Sequence, residues 1–338
     1  MNSISIGLVR GKNFLAHHIS TPHPENPGRL ELLPVEWVVP EGIRRVELPL
    51  TLLTEAEFGN VHVKDLWKQL QANAGKTGWL DPDTYYGPRS WEVALQAAGS
   101  SVALARKIWK GELRRGFALV RPPGHHATPM KSMGFCLMNN VAIAAAAILE
   151  EKPSAKIAIV DFDLHHGNGT QDIFYEDDRV LFISSHRFPY YPGTGAMAER
   201  GAGKGLGTTF NFPVGEPEGD RFFSGLYQEL VAPLLRQFRP DIILVSAGFD
   251  GHRDDPMQGL SMETETFARL AEILVEVAEA ESDGKILFCL EGGYNPQALV
   301  DCAQAVWKVL TGAKIPGNPA GPTPSFREWD IYRKFFQL

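Results

Sequence analysis

Short runs of apolar, mostly β-branched residues recur along the chain, each bounded by Gly, Pro or polar residues. Runs of this length and composition are typical of strands that are buried on both faces. The pattern predicts six strands, at 4–9, 117–120, 157–160, 180–184, 241–246 and 285–290.

Between these runs, apolar residues recur three and four positions apart, which predicts helices. Ser90 is the expected N-cap of the second helix, and Pro233 is expected to kink or break the fourth. Strands that alternate with helices predict an α/β fold with a parallel sheet flanked by helices. The predicted helices span 60–72, 90–110, 139–151, 221–238, 263–281 and 296–311.

Two segments fall outside this alternation. Residues 185–220 are dense in Gly, Pro and aromatic residues and are predicted to be irregular, which in a compact domain usually indicates a functional loop. The aromatic end of the chain would form an unusual patch if it were exposed. We therefore expect one domain over residues 1–311 and a tail, 312–338, that packs on the body or on a neighbouring subunit.

Composition narrows the range of partners. The net charge of −7 argues against binding to nucleic acid or to an anionic membrane surface. The three cysteines are widely spaced, which fits a reducing compartment better than a disulfide framework. The N-terminus lacks a signal-peptide pattern, and no apolar run approaches membrane-spanning length, so we expect a cytoplasmic protein.

Polar residues with catalytic potential follow four of the predicted strands. Parallel α/β sheets bind their ligands at the carboxyl ends of the strands, so these residues are expected to meet. Strand periodicity also places Asp161, Asp163 and His165 on one face. The strand ends carry His125 and His126, then Asp161, Asp163 and His165, then Asp250, and finally Tyr294.

Asp163, His165 and Asp250 would give a divalent ion three protein ligands and leave positions open, as in catalytic zinc sites. Two carboxylates and one imidazole also suit Fe(II), Co(II) or Mn(II). The alternative is that these residues are polar simply because the chain emerges into solvent after each strand.

His125 and His126 are candidates for the proton transfers of an amide hydrolysis, with Asp161 and Asn168 as the available partners of their other ring nitrogens. An Asp partner would favour a charged imidazole and an Asn partner a neutral one. Tyr294 follows two glycines and could donate its hydroxyl to an oxyanion. Alternatively, the histidines are hydrogen-bonded loop residues and Tyr294 is a packing residue.

Other hydrolase and nucleotide-binding patterns are absent. The sequence contains no G-x-S-x-G motif, which excludes the common serine hydrolase signature. The glycines of residues 201–207 miss the spacing of a phosphate-binding loop.

Taken together, six motifs resemble the successive signatures of the histone deacetylase and acetylpolyamine amidohydrolase superfamily, and they occur in the family's order over roughly residues 15–310. The resemblance implies an arginase-like fold, a single α/β domain around a central parallel sheet of about eight strands with helices on both faces. The motifs are Arg121-Pro-Pro-Gly-His-His-Ala127, Gly134-Phe-Cys-Leu-Met-Asn-Asn140, Asp161-Phe-Asp-Leu-His-His-Gly-Asn-Gly-Thr170, Tyr191-Pro-Gly-Thr-Gly195, Ser246-Ala-Gly-Phe-Asp250 and Glu291-Gly-Gly-Tyr294.

The resemblance also implies roles at the site. Zinc would be held by Asp163, His165 and Asp250. His126 would act as general base and acid, with His125 as its electrostatic partner and Tyr294 on the oxyanion. Asp161 would support His125, while Asn168 stands where class I deacetylases have Asp, which places this chain closer to the class II pattern.

Further implied positions concern the substrate tunnel. Gly134-Phe135 and Tyr191 match the aromatic walls around an acyl-lysine stem, Asp83 and Met257 match rim positions, and Arg29 matches the arginine of an inner acetate-release cavity. A structural potassium ion would lie near Asp161, Asp163, His165 and Ser184.

The substrate is less closely defined by the resemblance. The polyamine-selective class II deacetylase has Glu at the position of Met257, and bacterial acetylpolyamine amidohydrolases carry a long insertion that this chain lacks. We therefore expect a deacylase of acetyl-lysine in a peptide or protein, or of a small acetylated amine, and homo-oligomer formation stays open. The alternatives are an acetylpolyamine amidohydrolase, a two-manganese ureohydrolase and a non-catalytic acyl-amine binding module.

Overall fold

The computed structural model describes residues 4–34, 36–215, 217–314 and 326–337. The strands in these ranges are β1 Ile4–Val9, β2 Ile43–Glu47, β3 Gly78–Trp79, β4 Tyr85–Tyr86, β5 Arg115–Ala118, β6 Ile157–Asp161, β7 Val180–Arg187, β8 Thr209–Val214, β9 Ile242–Ala247 and β10 Ile286–Leu290.

Eight of these strands form one parallel sheet in the order β2-β1-β5-β10-β9-β6-β7-β8, and β3 pairs with β4 in a separate antiparallel ribbon. Every residue of β5, β6, β9 and β10 is buried. Strands that are covered on both faces need apolar residues on both, which explains the largely apolar sequences of β6, β9 and β10. The α/β class with a central parallel sheet is therefore confirmed.

The described helices are α1 Gly28–Glu31, α2 Glu55–Gly59, α3 Lys64–Ala72, α4 Ser90–Trp109, α5 Asn140–Glu151, α6 Asn168–Phe174, α7 Asp220–Leu226, α8 Ala232–Phe238, α9 Thr264–Glu281, α10 Pro296–Leu310 and α11 Arg327–Phe336. Among the described residues, no helix is both long and apolar enough to cross a lipid bilayer.

Two local predictions about the helices are wrong or incomplete. Ser90 is the first residue of α4 rather than its N-cap, and its buried hydroxyl accepts from the backbone of Gly87 and contacts His17. The helical stretch around Pro233 does not break there. A π-turn, Tyr227–Val231, joins α7 to α8 directly before the proline, which occupies the first turn of α8, where a missing N–H costs little.

The segment predicted to be irregular, 185–220, contains regular structure. It includes the last residues of β7 and the whole of β8, the strand at one edge of the sheet. β8 was missed because its run Thr-Phe-Asn-Phe-Pro-Val mixes polar residues and a proline with aromatic ones. A proline is tolerated in an edge strand because one side of that strand lacks a pairing partner.

The helix α11 packs against this edge of the sheet. Trp329 and Tyr332 are buried, the ring of Tyr332 lies 5.2 Å from that of Phe212, and its hydroxyl donates to the carbonyl of Pro213 at 2.7 Å. Residues 315–325, a large part of the expected tail, lie outside the described residues. The division of the chain at residue 311 stays a prediction.

Candidate active site

The four central strands bring the candidate residues to one edge of the sheet. β5, β10, β9 and β6 are neighbours, and their carboxyl ends point the same way because all pairs are parallel. Residues that lie far apart in sequence therefore meet in one place, as the strand-end rule predicts.

Asp163, His165 and Asp250 form a buried cluster in which one ligand atom of each lies within 4.8 Å of the others. The Nδ1 atom of His165 lies 3.2 Å from Oδ1 of Asp163 and 3.0 Å from Oδ2 of Asp250. Both carboxylates are held in place by backbone amides, since Gly292 donates to Asp163 at 2.9 Å and Leu164 donates to Asp250 at 3.0 Å. The ligand geometry is thus fixed by the chain itself.

The glycine at position 292 leaves room for this cluster. A Cβ atom there would collide with carboxylate oxygens of both Asp163 and Asp250. Gly248 has the same relation to Asp163, because a Cβ at that position would strike its carboxylate. Two glycines are therefore required for the carboxylates to converge.

The electrostatics of the cluster favour a positive charge between the carboxylates. Burial raises the pKa of Asp250, and the charge of Asp163 raises it further. Burial favours neutral His165, but its hydrogen bonds to Asp163 and Asp250 outweigh burial and raise the pKa of His165 to about 9. A divalent cation would supply the same positive charge between the carboxylates. Because such ions bind carboxylate oxygens and imidazole nitrogens, these residues fit a metal ion.

His125 pairs with Asp161, as expected from the sequence. The Nδ1 atom of His125 lies 3.0 Å from Oδ2 of Asp161, and both side chains are buried. Burial opposes the charged imidazole, but the carboxylates of Asp163 and Asp161 outweigh it and raise the pKa of His125 to about 10. The neighbouring carboxylates therefore favour the charged form of His125.

His126 pairs with Asn168 and has the opposite character. Its Nδ1 atom lies 2.8 Å from the side-chain oxygen of Asn168, so Nδ1 donates and Nε2 is left free to take up a proton. Burial lowers the pKa of His126 well below its usual value, and the charge of His125 lowers it further. The two adjacent imidazoles, with ring centres 4.0 Å apart, thus have pKa values that are shifted in opposite directions.

Tyr294 follows the Gly-Gly turn after β10 and lines the same cavity as His126 and His165. Burial raises the pKa of Tyr294 well above its usual value, although the charge of Arg29 opposes this. The hydroxyl consequently remains protonated and is suited to donate a hydrogen bond rather than to act as a base.

These groups open into a cavity of about 340 Å³. Phe135 forms one wall, with its ring 5.7 Å from that of Tyr294, and Tyr191 forms another, perpendicular to His126 at 5.1 Å. Gly134 lets the backbone pass close to His126, because a Cβ atom at position 134 would collide with the imidazole ring. The cavity is lined by Asp83, His126, Gly134, Phe135, His165, Tyr190, Tyr191, Met257 and Tyr294.

Asp83 lies at this cavity and is half-buried. Its carboxylate accepts from the hydroxyl of Thr84 at 3.2 Å, and the same hydroxyl accepts from the backbone of Phe135 at 3.0 Å. Burial raises the pKa of Asp83, and Asp81 raises it further. One hydroxyl thus connects Asp83 to the aromatic wall.

Two other positions predicted from the sequence, Arg29 and Ser184, are not among the residues that line the cavity. Arg29 is buried and donates to the backbone carbonyls of Gly293 at 2.6 Å and Glu291 at 2.5 Å, and its guanidinium carbon lies 4.8 Å from the centre of the Tyr294 ring. Ser184 lies opposite Asp161 on neighbouring strands, and its hydroxyl is 2.9 Å from Nδ1 of His186.

Several residues that support the site were not predicted from the sequence. Tyr190 stacks on His165 with ring centres 5.5 Å apart, and Glu25 is held by Arg121 through two contacts of 2.6 Å. Glu291 accepts from the backbone of Gly124 at 2.6 Å, just before the His-His pair. The acidic residue of the Glu-Gly-Gly-Tyr motif was the available signal for Glu291, whereas nothing in the local pattern marks Glu25.

Comparisons with known proteins point in one direction. A family model described as the histone deacetylase domain matches residues 23–310. A probable deacetylase from Archaeoglobus fulgidus is 38% identical over 293 residues, covering 86% of this chain and 81% of that protein. Histone deacetylase 15 from Arabidopsis thaliana is 38% identical over 313 residues, or 90% of this chain and 56% of that protein.

Solved structures agree with the sequence relatives. The crystal structure of the HDA15 HD domain superimposes with a TM-score of 0.88 at 34% identity, covering 99% of this chain and 94% of that one.

Histone deacetylase 10, chloroplastic, from Oryza sativa is 42% identical over 234 residues, with coverage of 68% of this chain. The chain spans 53% of that plant relative's length.

Proposed function

We propose that this chain, which belongs to the histone deacetylase family, removes acetyl or other acyl groups from lysine side chains or related amines with the help of one divalent metal ion. Family membership supports a deacetylating hydrolase. The observation that carries the proposal is the adjacent pair of imidazoles with unlike partners, Asp161 and Asn168, beside a buried Asp-His-Asp cluster at a single cavity.

Asp163, His165 and Asp250 are the residues that would hold the metal. Zinc is the proposed ion, although the same donors suit Fe(II) or Co(II). Such an ion supplies Lewis-acid polarisation of the amide carbonyl and lowers the pKa of water.

The chain's own residues would bind and orient the substrate. An aliphatic acyl-lysine stem would lie between Phe135 and Tyr191, with the acyl group toward His126, His165 and Tyr294, which line the same cavity. The hydroxyl of Tyr294 would donate to the carbonyl oxygen as negative charge develops on it.

The two histidines would divide the proton transfers and the charge stabilisation. His126 would take a proton from the attacking water at Nε2 and later give it to the leaving amine nitrogen, because its Nδ1 is committed to Asn168. His125, held charged by Asp161, would stabilise the negative charge of the tetrahedral intermediate.

Replacing Asn168 with aspartate tests this division through pH dependence. A carboxylate at that position would stabilise the protonated imidazole, so we expect the acid limb of kcat/KM to move upward by about one pH unit or more. Since the base must be neutral to work, kcat/KM should begin to fall at a higher pH in the variant than in the parent as the pH is lowered. Measured pH profiles that superimpose would contradict the assignment of His126 as the base.

The substrate class is proposed from the cavity entrance. Met257, which the family resemblance implies to be a rim residue, lines the cavity together with Tyr190, and the Tyr190 hydroxyl donates to the backbone carbonyl of Met257 at 2.8 Å. Met257 carries no charge that would select the free ammonium group of an acetylated polyamine. This supports an acyl-lysine substrate, with acetylpolyamine hydrolysis as the alternative within the same site.

A panel of acylated amines tests the proposal. Zinc-loaded protein should release acetate from acetyl-lysine peptides with a higher kcat/KM than from acetylated putrescine or spermidine, as measured by acetate quantification. Met257→Glu should move the preference toward the polyamines, and Met130→Glu, at an exposed methionine outside the cavity lining, is the matched control. Exclusive hydrolysis of polyamines by the parent would replace acyl-lysine by the alternative, and hydrolysis of neither class would defeat the proposal.

Three further assignments stay proposals. A structural potassium ion near Asp161, Asp163, His165 and Ser184 is proposed from the family resemblance, and of these residues Asp161 and Ser184 are neighbours on paired strands. A cytoplasmic setting is proposed from the sequence, and three buried, unpaired cysteines fit a reducing compartment. Homo-oligomer formation rests on the sequence alone.

A further inference from the structure

Asp255 is a buried carboxylate that belongs neither to the ligand cluster nor to the histidine pairs. Only 2% of its surface is exposed. Its Oδ2 atom accepts from the backbone of Tyr294 at 2.6 Å and of Asn295 at 3.0 Å. Its Oδ1 atom accepts from the backbone of Met257 at 3.0 Å. A single side chain therefore joins the turn at the cavity entrance to the segment that carries Tyr294.

The segment after β10 has high conformational freedom because of its glycines, so other residues must hold it in place. Gly292 and Gly293 precede Tyr294, and Gly293 has a φ of +118°, a conformation that other residues rarely adopt. On one side, Arg29 binds the carbonyl of Gly293, and on the other, Asp255 binds the amide of Tyr294. Hydrogen bonds to a charged acceptor are stronger than neutral ones, so the carboxylate fixes the Tyr294 backbone firmly.

The anchor continues into the helix that follows. Asn295 is the N-cap of α10, with its side chain accepting from the amides of Gln297 and Ala298. Its side-chain amide also donates to the carbonyl of Asp254 at 2.9 Å. The turn at 254–257 and the start of α10 thus form one connected unit around Asp255.

We propose that Asp255 is a positioning residue that sets the Tyr294 hydroxyl relative to the reacting carbonyl and couples that hydroxyl to the cavity entrance at Met257. The inference rests on the proposed function, in which Tyr294 donates to the oxyanion. Asp255 touches no reacting atom and acts through the backbone of Tyr294.

Asp255→Asn is the sharpest variant because it keeps the shape of the side chain. Its amide oxygen can still accept at one side, but its NH₂ group faces backbone N–H donors at the other and cannot accept from them. We expect kcat for an acetyl-lysine peptide to fall by about tenfold to a hundredfold with KM changed little, because the misplaced hydroxyl acts mainly in the transition state.

A double-mutant cycle separates positioning from a general structural role. If Asp255 acts through the Tyr294 hydroxyl, Asp255→Asn should cause no further loss of kcat in a Tyr294→Phe background. Asp254→Asn, at the exposed neighbouring carboxylate, is the matched control and should retain parental kcat. An Asp255→Asn loss that is equally large in the parent and in the Tyr294→Phe variant would overturn the proposal.

A spectroscopic readout decides the inference without turnover. In zinc-loaded protein with 3-fluorotyrosine incorporated only at position 294, the ¹⁹F resonance should shift, broaden or split in Asp255→Asn but not in Asp254→Asn. An unchanged resonance in Asp255→Asn would overturn the positioning role even in an active enzyme. A changed resonance in a chain that hydrolyses no acyl-amine would leave the positioning role standing and would defeat the proposed function instead.

Discussion

Replacing His126 with alanine is expected to lower kcat for an acetyl-lysine peptide by about a thousandfold or more while leaving the metal bound. His126 lies outside the Asp163, His165 and Asp250 cluster, and its hydrogen bond is to Asn168. Its removal takes away the neutral imidazole that accepts and returns the proton. Measurements of kcat and of metal content per chain test both halves of this expectation.

The control for this substitution is His18→Ala, at an exposed histidine in the loop before α1. It should retain parental kcat and metal content. If His126→Ala retained more than about a tenth of the parental kcat, its role as general base and acid would be wrong. Loss of the metal together with activity would instead place His126 among the residues that hold the ion.

Asp250→Asn is expected to abolish acetate release by removing the metal. The amide keeps the shape of the side chain and can accept from the backbone of Leu164 as Asp250 does at 3.0 Å. It provides a neutral and weaker ligand, however, so the remaining pair of Asp163 and His165 should bind zinc poorly. Metal content and acetate release should fall together.

Thermal denaturation distinguishes lost metal binding from lost folding. An ion that binds only the folded chain stabilises it according to its concentration and affinity, so zinc should raise Tm of the parent and of Asp254→Asn. Asp250→Asn should fold without zinc and show a much smaller rise. A variant that kept its zinc and its zinc-dependent Tm would contradict the role of Asp250 as a ligand.

The central strands of the sheet are easier to predict from the sequence than the edge strands. β6, β9 and β10 are covered on both faces and consist largely of apolar residues that mark them directly, whereas β5 begins at Arg115, two residues before the strand predicted at 117–120. The two edge strands, β2 and β8, were not predicted from residue patterns, because β2 contains two arginines and a glutamate and β8 contains an asparagine and a proline. Edge strands commonly carry charged residues and proline.

In the active site, too, some residues could be predicted from the local sequence, whereas others are defined by contacts that form only in the folded chain. Asp163, His165 and Asp250 were predictable because they follow buried strands, and the structure brings them together. The pairing of His126 with Asn168 also has the expected geometry, at 2.8 Å. Asp255 was not predictable, since its contacts with Tyr294 and Asn295 depend on where two turns meet in three dimensions.

The most direct test of the central claim is a zinc titration of the metal-free protein, with acetate release from an acetyl-lysine peptide measured at each step. We expect activity to rise from near zero and to reach its plateau at one zinc ion per chain. Release that is unaffected by zinc, or that requires two ions per chain, would contradict a one-metal deacetylase.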